Sequence, residues 1–181
     1  MTTSYISILR GINVSGHKMI KMDALRQLYE ELGFSHVQTY IQSGNVVFRD
    51  TTTDLVELEK KIKDKISEVF GLDVPIIVLE CSELKRIIEN NPFVNRTEIS
   101  PDLLHVSFLT TKPLQVDLDK LHGQFTPEEF ILSDKVIYLY CPNGYGNTKL
   151  NNSFFEYKLK VVATTRNWKT TQELCKMAEE N

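Results

Sequence analysis

Four short β-rich runs precede residue 80: Tyr5-Ile-Ser-Ile-Leu9, Val37-Gln-Thr-Tyr-Ile41, Val46-Val-Phe-Arg49 and Val74-Pro-Ile-Ile-Val-Leu79. The second and third flank Gln42-Ser43-Gly44-Asn45, which reads as a hairpin turn. Between the first and second, Leu25, Leu28, Tyr29 and Leu32 recur at i, i+3, i+4, i+7, the stripe of an amphipathic helix, with Asp23 near its start and Gly33 to stop it. Between the third and fourth, Leu55, Leu58, Ile62, Ile66, Val69 and Phe70 form a second stripe, opened by Asp54 three residues before Glu57 and ended at Gly71. Its Lys60–Lys65 charge run reads as a solvated face. Pro75 suits only the start or edge of a strand. Strand, helix, strand, strand, helix, strand is the split βαβ order of a ferredoxin-like lobe, with both helices on one face of the sheet.

The second half repeats this order from the strand onward. Ser82 can cap a linking helix through Leu84, Ile87 and Ile88, which Asn90-Asn91-Pro92 ends. Leu104–Leu109 reads as a strand and Val116, Leu118 and Leu121 as a short helix. Glu129–Leu132 and Val136–Tyr140 read as a hairpin about Ser133-Asp134-Lys135, and Phe154–Leu159 as a helix. Thr170-x-x-Glu173 reads as a capping box opening a last helix with Leu174, Met177 and Ala178 inward. No residue-level repeat is visible, so the duplication is inferred from topology alone. The expected fold is α+β, with two ferredoxin-like βαββ-type lobes packed into one unit. Residues 1–80 are the first lobe, 81–102 a linking helix and loop, and 103–181 a second βαββα lobe with a C-terminal helix.

The 181 residues carry 21 Lys+Arg against 24 Asp+Glu, a net charge of −3, with 41% hydrophobic and 25% charged residues. That composition excludes a disordered chain. No apolar run nears the roughly 20 residues of a membrane span, and Tyr5–Leu9 is too short for the core of a signal peptide. Cys81, Cys141 and Cys175 are odd in number and widely spaced, against a disulfide framework or a zinc site and in favour of a reducing, cytoplasmic setting. Beside Ser82 at a helix start, Cys81 has the position in which a thiol pKa can fall, although burial is the commoner reason for such a cysteine. His17, His36, His105 and His122 show no metal-binding spacing, so no metal is expected. His105 alternates within an apolar strand, as a core histidine does. No G-x-S-x-G is present, and neither a catalytic residue nor a cofactor can be assigned.

Four polar segments can carry chemistry. In Arg10–Lys21, Gly11-x-x-x-x-Gly16-His17-Lys18 follows a strand, but His17 occupies the lysine position of a P-loop and no Ser or Thr follows Lys18, which rejects an NTPase. Glycine-permitted backbone N–H groups beside Arg10, Lys18 and Lys21 can still hold an anion, the alternative being a solvated loop. Gln42-Ser43-Gly44-Asn45 is more polar than a turn requires. Cys141-Pro-Asn-Gly-Tyr-Gly-Asn-Thr-Lys149 lacks the third glycine of a dinucleotide fingerprint. Thr164-Thr165-Arg166-Asn167-Trp168-Lys169-Thr170 puts cations at a helix N-terminus, where the partial positive charge favours an anion nearby. From Tyr145 to Thr170 the net charge is +4 and from Asp117 to Asp134 it is −4, so one basic surface is possible on an acidic chain.

Taken with these segments, the runs Tyr5–Lys18, Thr39–Phe48 and Val161–Thr170 resemble the three signature stretches of the bacterial family called domain of unknown function 1697. Gly144-Tyr-Gly146 with Lys149-Leu150 resembles its fourth. The resemblance implies a cytosolic α+β protein of two related lobes, without an assigned activity. Its polar motif positions fall on Arg10, Gly11, Asn13, Gln42, Ser43, Gly44, Asn45, Thr165, Arg166, Asn167 and Trp168, while Ser15 stands where the family often has Gly.

The leading expectation is therefore an uncharacterised protein that binds a small phosphorylated or otherwise anionic ligand. Arg10 and Arg166 would clamp the anion, and Asn13, Lys18, Gln42, Ser43, Asn45, Lys149, Thr165, Asn167 and Trp168 would complete the ligand-binding set. Single-stranded RNA binding through Tyr40, Phe48, Tyr138 and Tyr140 is one alternative, against the overall charge. A structural or protein-interaction role without a ligand is another. No membrane partner is expected, and neither a reaction nor an oligomeric state is assigned.

Overall fold

The computed structural model describes residues 2–114, 118, 121 and 123–181. The chain divides into two compact units, Met1–Arg86 with Glu173–Asn181, and Ile87–Gln172. Among the described residues no helix is long and apolar enough to cross a membrane.

The first unit is built from β1 (Thr3–Leu9), α1 (Met22–Glu31), β2 (Ser35–Tyr40), β3 (Asn45–Asp50), α2 (Leu55–Phe70) and β4 (Ile76–Glu80). Its sheet has the order β2-β3-β1-β4, every neighbouring pair antiparallel, which is the order the split βαβ reading requires. Tyr5, Leu9, Val46, Phe48, Ile76 and Val78 pack with Leu25, Leu28 and Tyr29 of α1 and with Leu58, Ile62 and Ile66 of α2. Ile6 and Ile8, alternating with them along β1, are buried as well, so the central strand is covered on both faces.

Local chemistry sets the ends of these elements. Gly33, at φ 88°, closes α1 in a Schellman motif: its N–H donates to the Glu30 carbonyl and Phe34 N–H to the Tyr29 carbonyl. Phe34 is thereby turned onto Tyr29 and Phe48, with ring centroids 5.8 and 4.4 Å away. Asp54 accepts from the Val56 and Glu57 N–H groups to start α2, and Gly71 ends it in the left-handed conformation. Val69, read as part of the buried stripe, lies instead on the solvent face. The lysine run faces water, with exposed pairs such as Lys60–Asp64 and Lys63–Asp73 that contribute little stability.

The second unit contains β5 (Leu104–Leu109), β6 (Glu129–Ser133), β7 (Val136–Tyr140), α4 (Asn152–Leu159) and β8 (Ala163–Asn167). Its antiparallel sheet has the order β6-β7-β5-β8, the arrangement of the first sheet again. Leu109, Phe130, Ile137, Leu139, Cys141 and Ala163 pack with Phe155 and Leu159 of α4. The helix expected over Val116, Leu118 and Leu121 falls largely outside the described residues, Val116 among them.

Two helix starts differ from the sequence reading. α3 (Cys81–Glu89) begins at Cys81, so Ser82 lies within its first turn and bonds the Glu80 carboxylate instead of capping. α5 (Trp168–Glu180) begins ahead of the supposed Thr170 box. Its cap is Asn167, whose Oδ1 accepts from Thr170 N–H at 2.7 Å. An Asx cap satisfies the same orphan donors, and Thr170 is buried within the first turn.

The matching sheets reveal a local repeat. Ser7 faces Val46 and Val78 as Ser107 faces Ile137 and Thr165. Tyr5-Ile-Ser-Ile-Leu9 thus corresponds to His105-Val-Ser-Phe-Leu109. At the strand ends, Leu9 N–H donates to the Gly44 carbonyl and Leu109 N–H to the Lys135 carbonyl.

Gly44 is the tightest point of the first lobe. It has φ 79°, and an added Cβ would stand 2.8 Å from both Leu9 Cβ and Ile12 Cδ1. Gly44→Ala is expected to destabilise the protein by about 2–4 kcal/mol, the sum of left-handed strain and overpacking. Urea unfolding midpoints check this.

Candidate functional site

In the first unit the segment after β1 is a miniature hairpin standing on the end of the sheet. Val14 and His17 form an isolated bridge, and Asn13 N–H donates to the Lys18 carbonyl. The two residues at its tip, Ser15 at φ 50° and Gly16 at φ 78°, both have the positive φ a type I′ turn requires. Gly16 therefore serves a turn, in keeping with rejection of a P-loop. The left-handed value at Ser15 is one glycine adopts more easily.

Asn13 holds this hairpin in place. Its Nδ2 donates to the Ile20 carbonyl at 2.9 Å and to the Gln42 carbonyl at 2.8 Å, and its Oδ1 accepts from Ile20 N–H at 2.8 Å. One carboxamide thus ties the base of the loop to its exit and to the β2–β3 turn. That turn is closed by Asn45, fully buried, whose Nδ2 donates to the Tyr40 carbonyl and to Ser43 Oγ. Arg10 N–H donates to the Pro75 carbonyl, and Lys18 Nζ donates to the Asp73 carbonyl. The first unit thus brings Arg10, Asn13, Lys18, Gln42, Ser43 and Asn45 into one loop cluster.

Lys21 stands at the N-cap of α1 and supplies no side-chain bond to it. By contrast Asp54, Asn151 and Asn167 cap α2, α4 and α5. The first-turn N–H groups of α1 thus follow directly on a loop that carries Arg10, His17, Lys18 and Lys21 and no carboxylate.

The second unit holds Lys149, Thr165, Arg166, Asn167 and Trp168. Lys149 is exposed and Trp168 is buried. Arg166 is also buried, its guanidinium donating to Thr164 Oγ1 and to the Thr165 carbonyl, both at 3.0 Å. Thr165 donates to Asn152 Oδ1 at 2.6 Å, which leaves Ser107 as donor in the 2.6 Å contact between their hydroxyls. Asn167 is occupied as the cap of α5. In this segment strand pairing, capping and burial engage every one of the motif side chains.

His105 and Tyr145 lie on the same face of the second sheet, rings stacked with centroids 4.8 Å apart. Burial pulls the His105 imidazole below its ordinary pKa, opposed by a hydrogen bond with Leu103 backbone, so it is neutral near pH 7. The sequence reading took His105 as core, and its alternation within an apolar strand was the available signal. At Cys81 burial outweighs the helix start and raises the thiol pKa, the commoner of the two readings of such a cysteine. Burial likewise pushes Cys141 up to about 11. Among the described residues no group of three or more His, Cys, Asp or Glu is placed to hold a metal.

Two antiparallel sheets of the same strand order, together with the helices, define an α+β protein built on a repeated topology. The chain belongs to the family described as Protein of unknown function (DUF1697), whose model matches residues 1–138. The match takes in the Arg10–Lys18 and Gln42–Asn45 segments and ends before the motif-like runs at 144–150 and 161–170. The chain is also similar to a solved structure, that of the conserved bacterial protein SP0830 from Streptococcus pneumoniae. The TM-score is 0.73 at 23% identity, covering 98% of this chain and 99% of that one. At that identity the likeness concerns the fold. No curated protein matches the chain.

Two outcomes test these assignments. Asn13→Ala is expected to cost about 2–4 kcal/mol, since it strands the Ile20 amide and places alanine at φ 54°. Asn13→Gly, which keeps the backbone conformation, should recover about 1 kcal/mol of that loss in the same denaturation assay. His105 supplies the second test. Its folded pKa lies below the unfolded value of about 6.5, so the unfolded chain binds the extra proton first. Its contribution is constant above that value and is lost as pH falls below it, levelling off beneath the folded pKa. His105→Gln should flatten that part of the stability profile.

Proposed function

We propose that the protein binds a small phosphorylated or otherwise anionic ligand at the Arg10–Lys21 hairpin and the Gln42–Asn45 turn of its first unit. One observation carries this reading: a basic loop free of carboxylates is pinned in a left-handed conformation and leads into a helix start without a side-chain cap. Three features support it. Backbone N–H groups at a helix N-terminus favour an anion through their partial charge. Arg10, Lys18 and Lys21 raise the local concentration of anions. Asn13 and Asn45 spend their amides on holding the loop, which lowers the ordering cost of binding. In this reading Asn13, Ser43 and Asn45 shape the site, while Arg10, Lys18, Lys21 and the Gln42 side chain face the ligand. The site needs neither Arg166 nor Lys149. A clamp between Arg10 and Arg166 would add residues from the second unit, whose Thr164–Thr170 segment has a structural account of its own.

Of the four aromatic candidates for RNA binding, Tyr40 and Tyr140 are half-buried and the other two are withdrawn from the surface. Phe48 and Tyr138 are buried, and Tyr138 OH donates to the Ile87 carbonyl, so neither ring offers a stacking surface.

Thermal unfolding in rising concentrations of inorganic phosphate, pyrophosphate and mononucleotides tests the proposal. At about 100 times its Kd a ligand adds about 2.7 kcal/mol, a shift of about 5–10 °C for a chain of this length. Lys18→Ala with Lys21→Ala should abolish the shift, whereas Lys160→Ala, on an exposed C-cap of the second unit, should leave it. A shift unchanged in the double variant, or none with any of these anions, overturns the reading.

A further inference from the structure

Two of the three cysteines meet in the first unit. All three are free thiols. Cys81 is the first residue of α3 and Cys175 lies midway along α5, and the two thiols adjoin closely enough for each to act on the other's ionisation. One helical turn further along, Lys85 Nζ meets Glu179 Oε1 at 2.8 Å. Cys81 and Lys85 are four residues apart, as are Cys175 and Glu179. Each pair therefore shares one face of its helix, and the two facing rungs fix α3 and α5 in register.

We propose that Cys81 and Cys175 form a redox-active pair, converted to a disulfide by a small-molecule disulfide of the glutathione class. Cys81, half-buried where Cys175 is buried, is the entry point. Its thiolate attacks one sulfur of the small disulfide, forming a mixed disulfide and expelling one thiolate. Cys175, already adjoining that sulfur, loses its proton and attacks it. The Cys81–Cys175 bond forms, the mixed disulfide breaks and the second small thiol leaves. The protein has lost two electrons and two protons, and the small disulfide has become two thiols. Lys85 lies close enough to favour the Cys81 thiolate and Glu179 to oppose it, while burial holds both thiols largely protonated. Exchange is consequently slow at neutral pH and faster as pH rises. The product staples the start of α3 to the part of α5 that lies with it in the first unit. Cys141, buried among Leu139, Leu150 and Phe155 in the second unit, takes no part.

The reduced full-length protein is equilibrated with oxidised glutathione, quenched with acid, digested without reductant and mapped by mass spectrometry. The expected result is one linked peptide pair joining Cys81 to Cys175, a higher thermal midpoint, and reversal of both by dithiothreitol. In Cys175→Ser the reaction should stop at a glutathione adduct on Cys81. Because the wild-type mapping does not depend on the variant's folding, it decides the matter alone. Two unmodified thiols at equilibrium, a stable glutathione adduct in place of the link, or a link that involves Cys141 overturns the proposal.

Discussion

The close passage of the chain at Gly44 is the constraint on which the rest of the first unit depends. Leu9 ends the central strand by donating its N–H to the Gly44 carbonyl, and Ile12 then folds down onto the same residue. The absence of a side chain there lets the strand exit lie directly on the hairpin turn. From that contact follow the neighbouring geometries. Asn13 comes within reach of the Gln42 carbonyl, the loop folds back to Ile20, and α1 begins at Met22 on the correct face of the sheet. A residue with a Cβ at position 44 would separate two backbones that one amide group now holds together.

The repeated topology shows how one backbone plan accepts different chemistry. Ser7 and Ser107 occupy equivalent positions on central strands and both are fully buried, so each needs a partner. Ser7 finds the Tyr29 hydroxyl of α1 at 2.6 Å. Burial raises the pKa of that phenol, which keeps it neutral. Ser107 finds Thr165 of β8, which in turn donates to Asn152 at the start of α4. The solution is helix-to-sheet in one lobe and strand-to-strand in the other. Tyr5 and His105 are related in the same way. Tyr5 OH reaches outward to the Thr52 carbonyl, while His105 stays between the sheet and Tyr145.

Much of the fold was legible because its signals are local. The stripe Leu25, Leu28, Tyr29 with Gly33, and Asp54 with Gly71, specify two helices and three of their ends by residue type alone. The errors arose where two local solutions compete. Asn167 and Thr170 can each cap a helix, and the choice turns on Trp168, whose burial draws the helix start forward to include it. Ser82 lost its capping role because β4 runs directly into α3 without an intervening turn. The five-residue correspondence of Tyr5–Leu9 with His105–Leu109 was hidden because only serine and leucine are shared. It becomes visible once register, which sequence does not carry, aligns the strands.

The polar motifs were harder to read, because an amide or guanidinium that faces a ligand has the same letter as one that faces the backbone. Asn13 and Asn45 illustrate the ambiguity. Their side chains answer five backbone and side-chain groups between them, so their presence is explained without a ligand. What such bonds do not explain is the charge of the loop they support. A hairpin with an I′ turn needs glycine or asparagine at its tip and does not itself require cations at 10, 18 and 21, although Lys18 also ties the loop to the Asp73 carbonyl. Shape and charge thus have separate causes in this segment. The shape is set by the asparagines and by Gly16, whereas the charge, which Asp23 in the first turn of α1 offsets only in part, is the part on which the proposed anion site rests.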